Sequence, residues 1–268
     1  MIPQKRNIFC VVVHFGSKST TDASIRDFLD QTNAAAAIVV VDHGKEPYVV
    51  PRGINGVQVV RPAQNKGYAA GINEGLRVVA LHNPLPEDLV VCCNNDVRVQ
   101  RDTLKRIVST WPKKPAHVLA AATMGYVNLV TGRAHVGLSP RSYSAITLPY
   151  AHGSFLVAPV ATWQRVGDAP EKFFMYWEDV ALSIQAKAKK VTVRQLPDVG
   201  IHHADEKTSV PAEKEYLLVR NGAYVLEHST PGIWPVIWES INSVRLSMHR
   251  ALGKKPNIVK ALQDRNTL

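Results

Sequence analysis

The apolar positions of this chain follow two alternating patterns over its first half. Continuous runs rich in Val and Ile predict strands buried on both faces, and the amphipathic segments between them predict helices. Strands are predicted at residues 8–13, 36–41, 57–60 and 88–93, and helices at residues 22–31, 68–82 and 101–111. Because strands that alternate with helices form βαβ units, the pattern predicts an α/β fold with a mostly parallel central sheet flanked by helices.

The pattern changes in the second half of the chain. From residue 118, short apolar segments separated by Gly and Pro predict a small antiparallel annex, and residues 154–160 predict one more buried strand. After His203 the apolar spacing becomes helical. The predicted helices are residues 212–227, 233–252 and 257–264. We therefore expect two units, residues 1–205 with the sheet and residues 206–268 as a C-terminal helical extension.

The composition narrows the class of protein. With 268 residues, of which 46% are hydrophobic and 20% charged, the chain can form one large or two small globular domains. Lys and Arg outnumber Asp and Glu by 32 to 22, a net charge of +10. This surplus favours an anionic partner: a nucleic acid, an acidic membrane surface or a phosphorylated substrate.

The positions of the cysteines and the lengths of the apolar runs indicate the cellular compartment of the protein. Cys92 and Cys93 are adjacent in a predicted strand, so their side chains would point to opposite faces, which argues against a disulfide framework. The run at residues 8–13 is shorter than the roughly 7 to 15 residues of a signal-peptide core. No apolar stretch approaches the roughly 20 residues that span a bilayer. We expect a cytoplasmic protein with reduced thiols.

Polar side chains follow the predicted parallel strands at the point where each strand ends. Because ligands of open parallel sheets bind beyond the carboxyl ends of the strands, these positions are candidates for a binding site. They are His14, Gly16, Asp42, His43, Arg61, Asn65, Asn94, Asn95 and Asp96. Gly16 is the one glycine in the turn after the first strand, and the chain has no Gly-Lys-Ser/Thr loop. A dinucleotide-binding dehydrogenase and a P-loop nucleotidase are therefore disfavoured.

Two of these motifs allow a structural and a functional interpretation. Gly67, Gly71 and Gly75 recur at every fourth position of a predicted helix, which permits either tight packing on the sheet or the close approach of a ligand. Asn94 and Asp96 fall on the same side of an extended segment, where they could share a divalent cation with a diphosphate. An Asn-Asn-Asp turn at the end of a strand is the alternative.

An aromatic run leads into two carboxylates. Residues 173–177 read Phe-Phe-Met-Tyr-Trp, and Glu178 and Asp179 follow at the start of a predicted helix. Either acid could be a helix N-cap, which stabilises a helix by about 1 kcal/mol. Apolar walls beside a carboxylate also favour a role as a proton acceptor, so the motif leaves both roles open.

Six segments in order carry a family resemblance. They are residues 39–43 (VVVDH), 65–73 (NKGYAAGIN), 94–96 (NND), 153–156 (GSFL), 173–179 (FFMYWED) and His203. Together they resemble the family 2 glycosyltransferases of GT-A fold, especially the rhamnosyltransferase-like branch that acts on bacterial surface polysaccharides such as lipopolysaccharide. The resemblance implies that residues 1–205 form a GT-A catalytic domain, with a nucleotide-binding half at about 1–100 and an acceptor half at about 101–205.

The resemblance also implies a reaction and its partners. An inverting transferase of this kind would move a hexose, rhamnose or another, from a dTDP- or UDP-linked donor to a glycan or to a polyprenyl-diphosphate-linked acceptor. Its cofactor would be Mg²⁺ or Mn²⁺. It would work in the cytoplasm and could contact the acidic inner face of the cytoplasmic membrane.

Residue roles are implied by the matching motifs. Asp179 would be the catalytic base, supported by Glu178, while Asp96 and His203 would hold the metal. The residues that would bind the donor are His14, Gly16, Asp42, His43, Arg61, Asn65, Lys66, Gly67, Gly71, Asn73, Asn94 and Asn95. The residues that would bind the acceptor are Gly153, Ser154, Tyr176 and Trp177.

Two other functions remain open from the sequence. A sugar nucleotidyltransferase shares the nucleotide-binding sheet, although residues 14–20 lack the Gly-rich, Arg-containing loop with a following Lys that such an enzyme should carry. A non-catalytic basic protein that binds nucleic acid or a membrane would explain the charge. No clustered basic helix with interleaved aromatics is present, so we expect no nucleic-acid partner.

The helix predicted at residues 233–252 carries an apolar stripe. Its members are Trp234, Ile237, Trp238, Ile241, Val244, Met248 and Leu252. Such a stripe is buried against the rest of the protein or lies in a membrane interface, where Trp suits the headgroup level and nearby cations such as Lys254 and Lys255 attract acidic lipids.

Overall fold

The structure, a computed structural model, describes residues 6–112, 117–137, 146–197, 200–203, 211–253 and 256–268. The strands are β1 (Ile8–His14), β2 (Ala37–Asp42), β3 (Val57–Val60), β4 (Leu89–Asn94), β5 (Val97–Val99), β6 (Val118–Ala121), β7 (Met124–Asn128), β8 (Arg133–Val136), β9 (Thr147–Ala151), β10 (Phe155–Pro159), β11 (Thr192–Gln195) and β12 (Ile201–His203). The helices are α1 (Lys18–Leu29), α2 (Tyr68–Ala80), α3 (Thr103–Thr110), α4 (Val160–Val166), α5 (Glu178–Ala188), α6 (Pro211–His228), α7 (Trp234–Leu252) and α8 (Pro256–Asp264), followed by a 3₁₀ turn at Arg265–Thr267.

A seven-stranded sheet in the order β11-β6-β10-β4-β1-β2-β3 forms the centre of the fold. Strand β1 pairs in parallel with β2 and β4, and β2 pairs in parallel with β3. Strand β10 is antiparallel to both of its neighbours, and β11 is parallel to β6. Every residue of β1 is buried, as expected for a strand covered on both faces. The predicted α/β fold with a mostly parallel sheet is therefore confirmed.

Each face of the sheet carries its own apolar core. Because side chains alternate along a strand, Cys92 packs into one core and Cys93 into the other, as the sequence predicted. Cys10, Cys92 and Cys93 are all unpaired and buried. Burial raises the pKa of the three thiols well above the ordinary value, so they are inert members of the core.

Two small antiparallel sheets lie beside the central sheet. Strands β8, β7 and β9 form a three-stranded sheet, which is the predicted annex. Strands β5 and β12 form a two-stranded sheet whose register pairs His203 with Val97. Strand β5 was not predicted because three residues are too few for an alternation to be recognised.

Helix α2 packs tightly on strand β1. A Cβ at Gly71 would lie 2.7 Å from Cγ1 of Val13, and one at Gly75 would overlap Cγ1 of Val11. The glycine spacing along this helix therefore serves packing on the sheet at these two positions, and the donor-binding role of Gly71 stays a prediction.

Helix α1 begins earlier than the sequence pattern suggested. It starts at Lys18 instead of residue 22, because the hydroxyl of Ser17 accepts a hydrogen bond from the Thr20 N–H and caps the first turn. The earlier start brings the helix N-terminus next to the end of β1 and so next to the edge where the strand ends gather.

The C-terminal region consists of helices α6, α7 and α8. The apolar stripe on α7 divides: Trp238 is buried and Trp234 and Ile241 pack beside it, whereas Val244 and Met248 are exposed. Leu252 is also exposed. No helix in the described parts of the chain is long and apolar enough to cross a membrane. The predicted boundary near residue 205 falls in the stretch 204–210, outside the described residues.

Candidate active site

The ends of β1, β2 and β4 meet at one edge of the central sheet. The register pairs His14 with Asp42 and Val13 with Asn94, so the polar residues that follow these strands are neighbours in space. The candidate residues chosen from strand ends therefore share one edge, which is where open α/β sheets bind ligands.

Asp42 organises the loop after β2. Its Oδ1 accepts a hydrogen bond from the Gly44 N–H at 2.8 Å, and its Oδ2 accepts from the Tyr48 N–H at 2.8 Å and from Nη1 of Arg61 at 2.6 Å. Burial alone would raise the pKa of Asp42, but the two N–H groups and the Arg61 guanidinium outweigh it and hold the pKa below the ordinary value. Arg61 also donates to the Gly44 carbonyl. Asp42 and Arg61, which were both predicted to bind the donor, thus fix the conformation of this loop.

His14, Asn95 and Thr21 fix the turn between β1 and α1. Nδ1 of His14 lies 2.6 Å from Oγ1 of Thr21, and Nδ2 of Asn95 donates to the same oxygen at 2.9 Å and to the Phe15 carbonyl at 3.1 Å. Gly16 occupies the left-handed region with φ 83° at the exit of this turn. The network presents the Gly16 backbone at the edge of the sheet, with His14 and Asn95 behind it.

His43 carries an unpaired polar atom in this region. Its side chain is buried, and Nε2 has no hydrogen-bond partner among the described residues. Burial lowers the pKa of His43, so the ring is neutral near pH 7 and its two nitrogens offer one donor and one acceptor. Its Cε1 lies 3.3 Å from the position of a Cβ on Gly71, which places the ring against the first turns of α2. A buried polar atom without a partner is a candidate for contact with a ligand.

The loop before α2 touches the segment that leads into α5. Oδ1 of Asn65 accepts from the Gly67 N–H at 2.8 Å, and Gly67 has φ 93°. A Cβ on Gly67 would overlap the carbonyl of Phe174, and the Tyr68 N–H donates to that carbonyl at 3.3 Å. Glycine is required here by both its φ angle and the close approach. Lys66 stands between Asn65 and Gly67 in the chain, and its side chain is exposed.

Glu178 and Asp179 form the first turn of α5. Oδ2 of Asp179 accepts a hydrogen bond from the Gly153 N–H at 3.0 Å, and Oδ1 accepts from the Val180 N–H at 2.8 Å. Oε2 of Glu178 is shielded from solvent and has no hydrogen-bond partner within the described parts of the chain. The two carboxylates line a small cavity together with Tyr68.

The surroundings of the two acids shift their pKa values in different ways. Burial and the neighbouring Asp179 charge raise the pKa of Glu178 from its ordinary value near 4.5 to about 8. Burial also raises the pKa of Asp179, but the charge of His152 and the N–H groups of Gly153 and Val180 oppose the increase. Asp179 accepts two N–H hydrogen bonds, which favour its ionised form, whereas Oε2 of Glu178 accepts none among the described residues.

Helix α6 holds the turn that precedes these acids. Tyr176 and Trp177 both adopt left-handed backbone conformations, with φ 67° and φ 71°. The Asn221 side chain donates to the carbonyls of Met175 at 2.8 Å and Tyr176 at 2.9 Å, and Gly222 allows the helix to approach the Trp177 ring. Sequence reasoning missed Asn221 and Gly222, because an Asn-Gly pair inside a helical pattern shows nothing of a distant turn.

Three residues predicted to contact a substrate also have partners within the protein. Asn73, predicted to bind the donor, is buried, and its amide exchanges hydrogen bonds with the backbone of Ala169 and donates to Oε1 of Glu171. It ties α2 to the segment before the aromatic run, and its contact with the donor stays a prediction. Trp177, predicted to contact the acceptor, packs against α6. Ser154 is buried and its Oγ lies 2.9 Å from Nδ1 of His152, a residue that the sequence did not single out.

The predicted metal ligands are Asp96 and His203. Asp96 directly precedes β5, and His203 is the last residue of β12, the strand that pairs with β5. Asp96 follows β4, and the backbone of His203 pairs with Val97; the His203 side chain lies outside the described residues. Among the described residues no three His, Cys, Asp or Glu side chains cluster as a metal site. The carboxylate of Asp96 and the amide of Asn94 are oxygen donors of the kind that Mg²⁺ and Mn²⁺ prefer. This donor set suits a cation held partly by a ligand's own phosphates.

Comparison with known proteins gives the site a context. The sequence model of "Glycosyl transferase family 2" matches residues 9–173 of this chain. The low-salt glycan biosynthesis hexosyltransferase Agl10 of Haloferax volcanii is 18% identical over 220 residues, which cover 77% of this chain and 70% of the relative.

Two solved structures share the fold. The mannosyltransferase PcManGT from Pyrobaculum calidifontis, in complex with GDP-Man and Mn²⁺, superposes with a TM-score of 0.57 at 13% identity over 99% of this chain and 87% of the other. GalNAc-T7 with UDP, GalNAc and Mn²⁺ gives a TM-score of 0.68 at 13% identity over 98% of this chain and 55% of the other. At this level of identity the likeness concerns the fold.

Proposed function

Since the chain belongs to glycosyl transferase family 2, has the GT-A fold and is a glycosyltransferase acting on a nucleotide-sugar donor, we propose that it is an inverting enzyme that transfers a hexose, rhamnose or another. The donor is linked to dTDP or UDP, and the acceptor is a glycan or a polyprenyl-diphosphate-linked glycan in bacterial surface polysaccharide synthesis. The family assignment replaces the two other functions that the sequence left open, a sugar nucleotidyltransferase and a non-catalytic basic protein.

The observation that carries this proposal is the position of the Asp179 carboxylate, which two backbone N–H groups, those of Gly153 and Val180, hold at the wall of a small cavity. A transferase that inverts the anomeric centre needs one carboxylate to accept the proton of the acceptor hydroxyl. Asp179 lines the cavity and is held in place by the Gly153 N–H, a contact that favours its ionised form. As the acceptor oxygen forms its bond to the anomeric carbon, the bond to the nucleoside diphosphate breaks and the proton passes to Asp179. Protonated Glu178 keeps a second negative charge away from the base.

The donor would bind at the edge formed by the ends of β1, β2 and β4. His43 supplies a neutral ring with an unpaired nitrogen for the nucleoside, and the loop held by Asp42 and Arg61 forms the wall beside it. Mg²⁺ or Mn²⁺ would be held by Asp96, with Asn94 and His203 as further ligands, and would neutralise the charge of the departing diphosphate. The positive net charge of the chain, +10, favours the same anionic ligand.

A thermal-shift screen tests donor binding. UDP, dTDP and GDP are each added with and without Mn²⁺, since a ligand that binds the native state raises the melting temperature. We expect one pyrimidine nucleotide to stabilise the protein in a metal-dependent way. The Asp96→Asn variant should lose the metal dependence, whereas Asp30→Asn, at an exposed carboxylate on the end of α1, should keep it. A folded protein that responds to no nucleotide, or whose Asp96→Asn variant behaves like the wild type, would contradict the proposal.

The exposed part of the α7 stripe supports peripheral contact with an acidic membrane. Val244, Met248 and Leu252 of the stripe recur at every fourth position and are exposed, as is Val236 on the same helix. Flotation with vesicles that contain acidic lipids tests this contact. We expect Met248→Glu to reduce binding and Leu81→Glu, an exposed apolar position on the catalytic domain, to leave it unchanged. Absence of wild-type binding, or equal binding by both variants, would rule the contact out.

A further inference from the structure

A second cavity lies between the β7–β8 hairpin and helices α6 and α7. Its volume is about 620 Å³, within the range of small-molecule sites. Most of its lining is apolar. The larger apolar side chains are Trp177, Leu218, Leu226, Trp238 and Ile241. The cavity is distinct from the donor edge of the sheet, but Trp177 directly precedes the carboxylate pair.

Specific contacts hold the walls of this cavity in place. Nε1 of Trp238 donates to the Leu129 carbonyl at 2.9 Å, which joins α7 to the end of β7. Gly132 has φ 67° in the hairpin turn, and its lack of a side chain lets the turn reach the Trp238 ring. The hairpin and the two helices therefore form a cavity that exists before any ligand enters.

Arg245 brings a fixed positive charge to this cavity. Its Nη1 donates to Oδ1 of Asn242 at 2.9 Å, and Nδ2 of Asn242 donates to Oε1 of Glu227 at 2.9 Å. Glu227 is already paired with Arg265 at 2.8 Å. The network thus contains one carboxylate and two guanidinium groups, of which only that of Arg265 contacts the carboxylate directly, and this leaves a surplus of one positive charge. Arg245 forms no ion pair with a carboxylate among the described residues, and burial lowers its pKa.

The opposite wall adds a second cation. Arg133 of β8 lines the cavity, and none of the lining residues is acidic. An apolar cavity with two guanidinium groups is complementary to a molecule that has both an apolar chain and a phosphate group. A free glycan offers neither, and a nucleotide offers no apolar chain.

We propose that this cavity binds the polyprenyl chain and adjoining phosphate of a lipid-linked acceptor. The inference rests on the proposed glycosyltransferase function and selects, from its two acceptor classes, the polyprenyl-diphosphate-linked one. Trp177 lines the cavity and is bonded to Glu178, so an acceptor anchored here is tethered beside the carboxylate pair. The apolar walls hold the chain, and Arg245 and Arg133 hold the phosphate.

Calorimetric titration with geranylgeranyl diphosphate tests the site on the full chain. We expect Arg245→Met and Leu218→Glu each to weaken binding at least tenfold. Leu218 is exposed enough on α6 for the Glu to be tolerated by the fold, so that variant reports on the cavity even where Arg245→Met loses stability. The matched control is Leu81→Glu, at an exposed apolar position outside the cavity, which should bind like the wild type.

Two partial ligands separate the contributions of chain and phosphate. Inorganic pyrophosphate and geranylgeraniol should each bind at least tenfold more weakly than the complete molecule. Pyrophosphate that binds as tightly as geranylgeranyl diphosphate would overturn the proposal in favour of a simple anion site, as would unchanged binding in both cavity variants.

Titration of the same samples with UDP, dTDP and GDP keeps the two proposals apart. We expect the cavity variants to bind nucleotide like the wild type. A protein that binds nucleotide but no geranylgeranyl diphosphate would refute the lipid cavity and leave the proposed function standing. A protein that binds the lipid in the cavity but no nucleotide would support the cavity and refute the proposed donor chemistry.

Discussion

Gly153 donates its backbone N–H to Oδ2 of Asp179 at 3.0 Å, and the carbonyl of the same glycine accepts a hydrogen bond from the Tyr68 hydroxyl at 2.6 Å. One peptide segment between β9 and β10 thus connects the start of α2 with the start of α5. The proposed base is oriented from the loop that borders the proposed donor site. Donor and base geometry are therefore coupled through Gly153.

Asp179→Asn should reduce turnover by about 10²–10⁴-fold, because an amide cannot accept the proton of the acceptor hydroxyl. The amide oxygen can still accept from the Gly153 N–H, so folding and nucleotide binding should be retained. Steady-state kinetics and nucleotide titration measure the two effects. Asp168→Asn, at an exposed acid, is the control. Turnover close to that of the wild type would reject Asp179 as the base.

Glu178→Gln should stabilise the protein more at pH 8 than at pH 5. The pKa of Glu178 is raised from near 4.5 to about 8, so between these values the native state keeps a proton that the unfolded chain has released. Native stability from this group therefore falls as the pH rises through that window. The Gln variant removes the dependence.

Melting temperatures at the two pH values, compared with those of the wild type, measure this effect. Each 1 kcal/mol corresponds to about 2–4 °C in a chain of this size. Glu87→Gln, at an exposed acid, should give the same difference from the wild type at both pH values. A Glu178→Gln difference that does not grow with pH would contradict the raised pKa.

Gly67→Ala should cost more stability than Gly53→Ala and should also reduce turnover. Both glycines have positive φ angles, 93° and 83°, so both substitutions carry a backbone cost of about 1–2 kcal/mol. A Cβ at Gly53 meets nothing within 4 Å, whereas one at Gly67 overlaps the Phe174 carbonyl and displaces the segment that leads to the carboxylates. Denaturant unfolding and kinetics of the two variants check this, and equal losses in both would show that the contact with Phe174 is unimportant.

Asn221→Ala should lower kcat by about tenfold or more, because it frees the turn that orients Glu178 and Asp179. Misplacement of a reacting group by about 1 Å can cost about 10²-fold. Gln31→Ala is the matched control: the Gln31 amide also donates to two backbone carbonyls, those of Asp27 and Gln100, in another part of the fold.

Both amide variants should lose stability, since each leaves two backbone carbonyls without a donor, and Gln31→Ala also leaves the Leu104 N–H without its acceptor. Only Asn221→Ala should change kcat and shift the pH profile of the reaction. A profile that shifts equally in both variants would assign Asn221 a purely structural role.

Local signals in the sequence were sufficient for the sheet and for the edge at which the candidate residues gather. Continuous apolar runs identified β1, β2 and β4, and the ends of parallel strands necessarily share one edge.

Contacts between residues distant in sequence were not predictable in this way. Asn221 lies 46 positions from Met175, whose carbonyl it binds, and nothing in a helical pattern indicates which buried amide faces a turn. Asn73 shows the same limit: its motif position predicts a ligand contact, and nothing in the pattern reveals that its amide also bonds Ala169, 96 positions away. The sequence pattern shows which helix or strand carries a side chain. The hydrogen-bond partner of that side chain depends on the packing of the whole fold.

The hold of α6 on the turn before α5 has a consequence for how enzymes of this type diverge. The family match ends at residue 173, before Glu178, and the turn in between is buttressed by Asn221 from a helix beyond the match. The C-terminal helices are thus not exchangeable between enzymes. In a chimaera that joins them to another catalytic domain, we expect the proposed base to be misaligned. A substitution in α6 can therefore alter the cavity between the hairpin and the helices and the turn before the carboxylates at the same time.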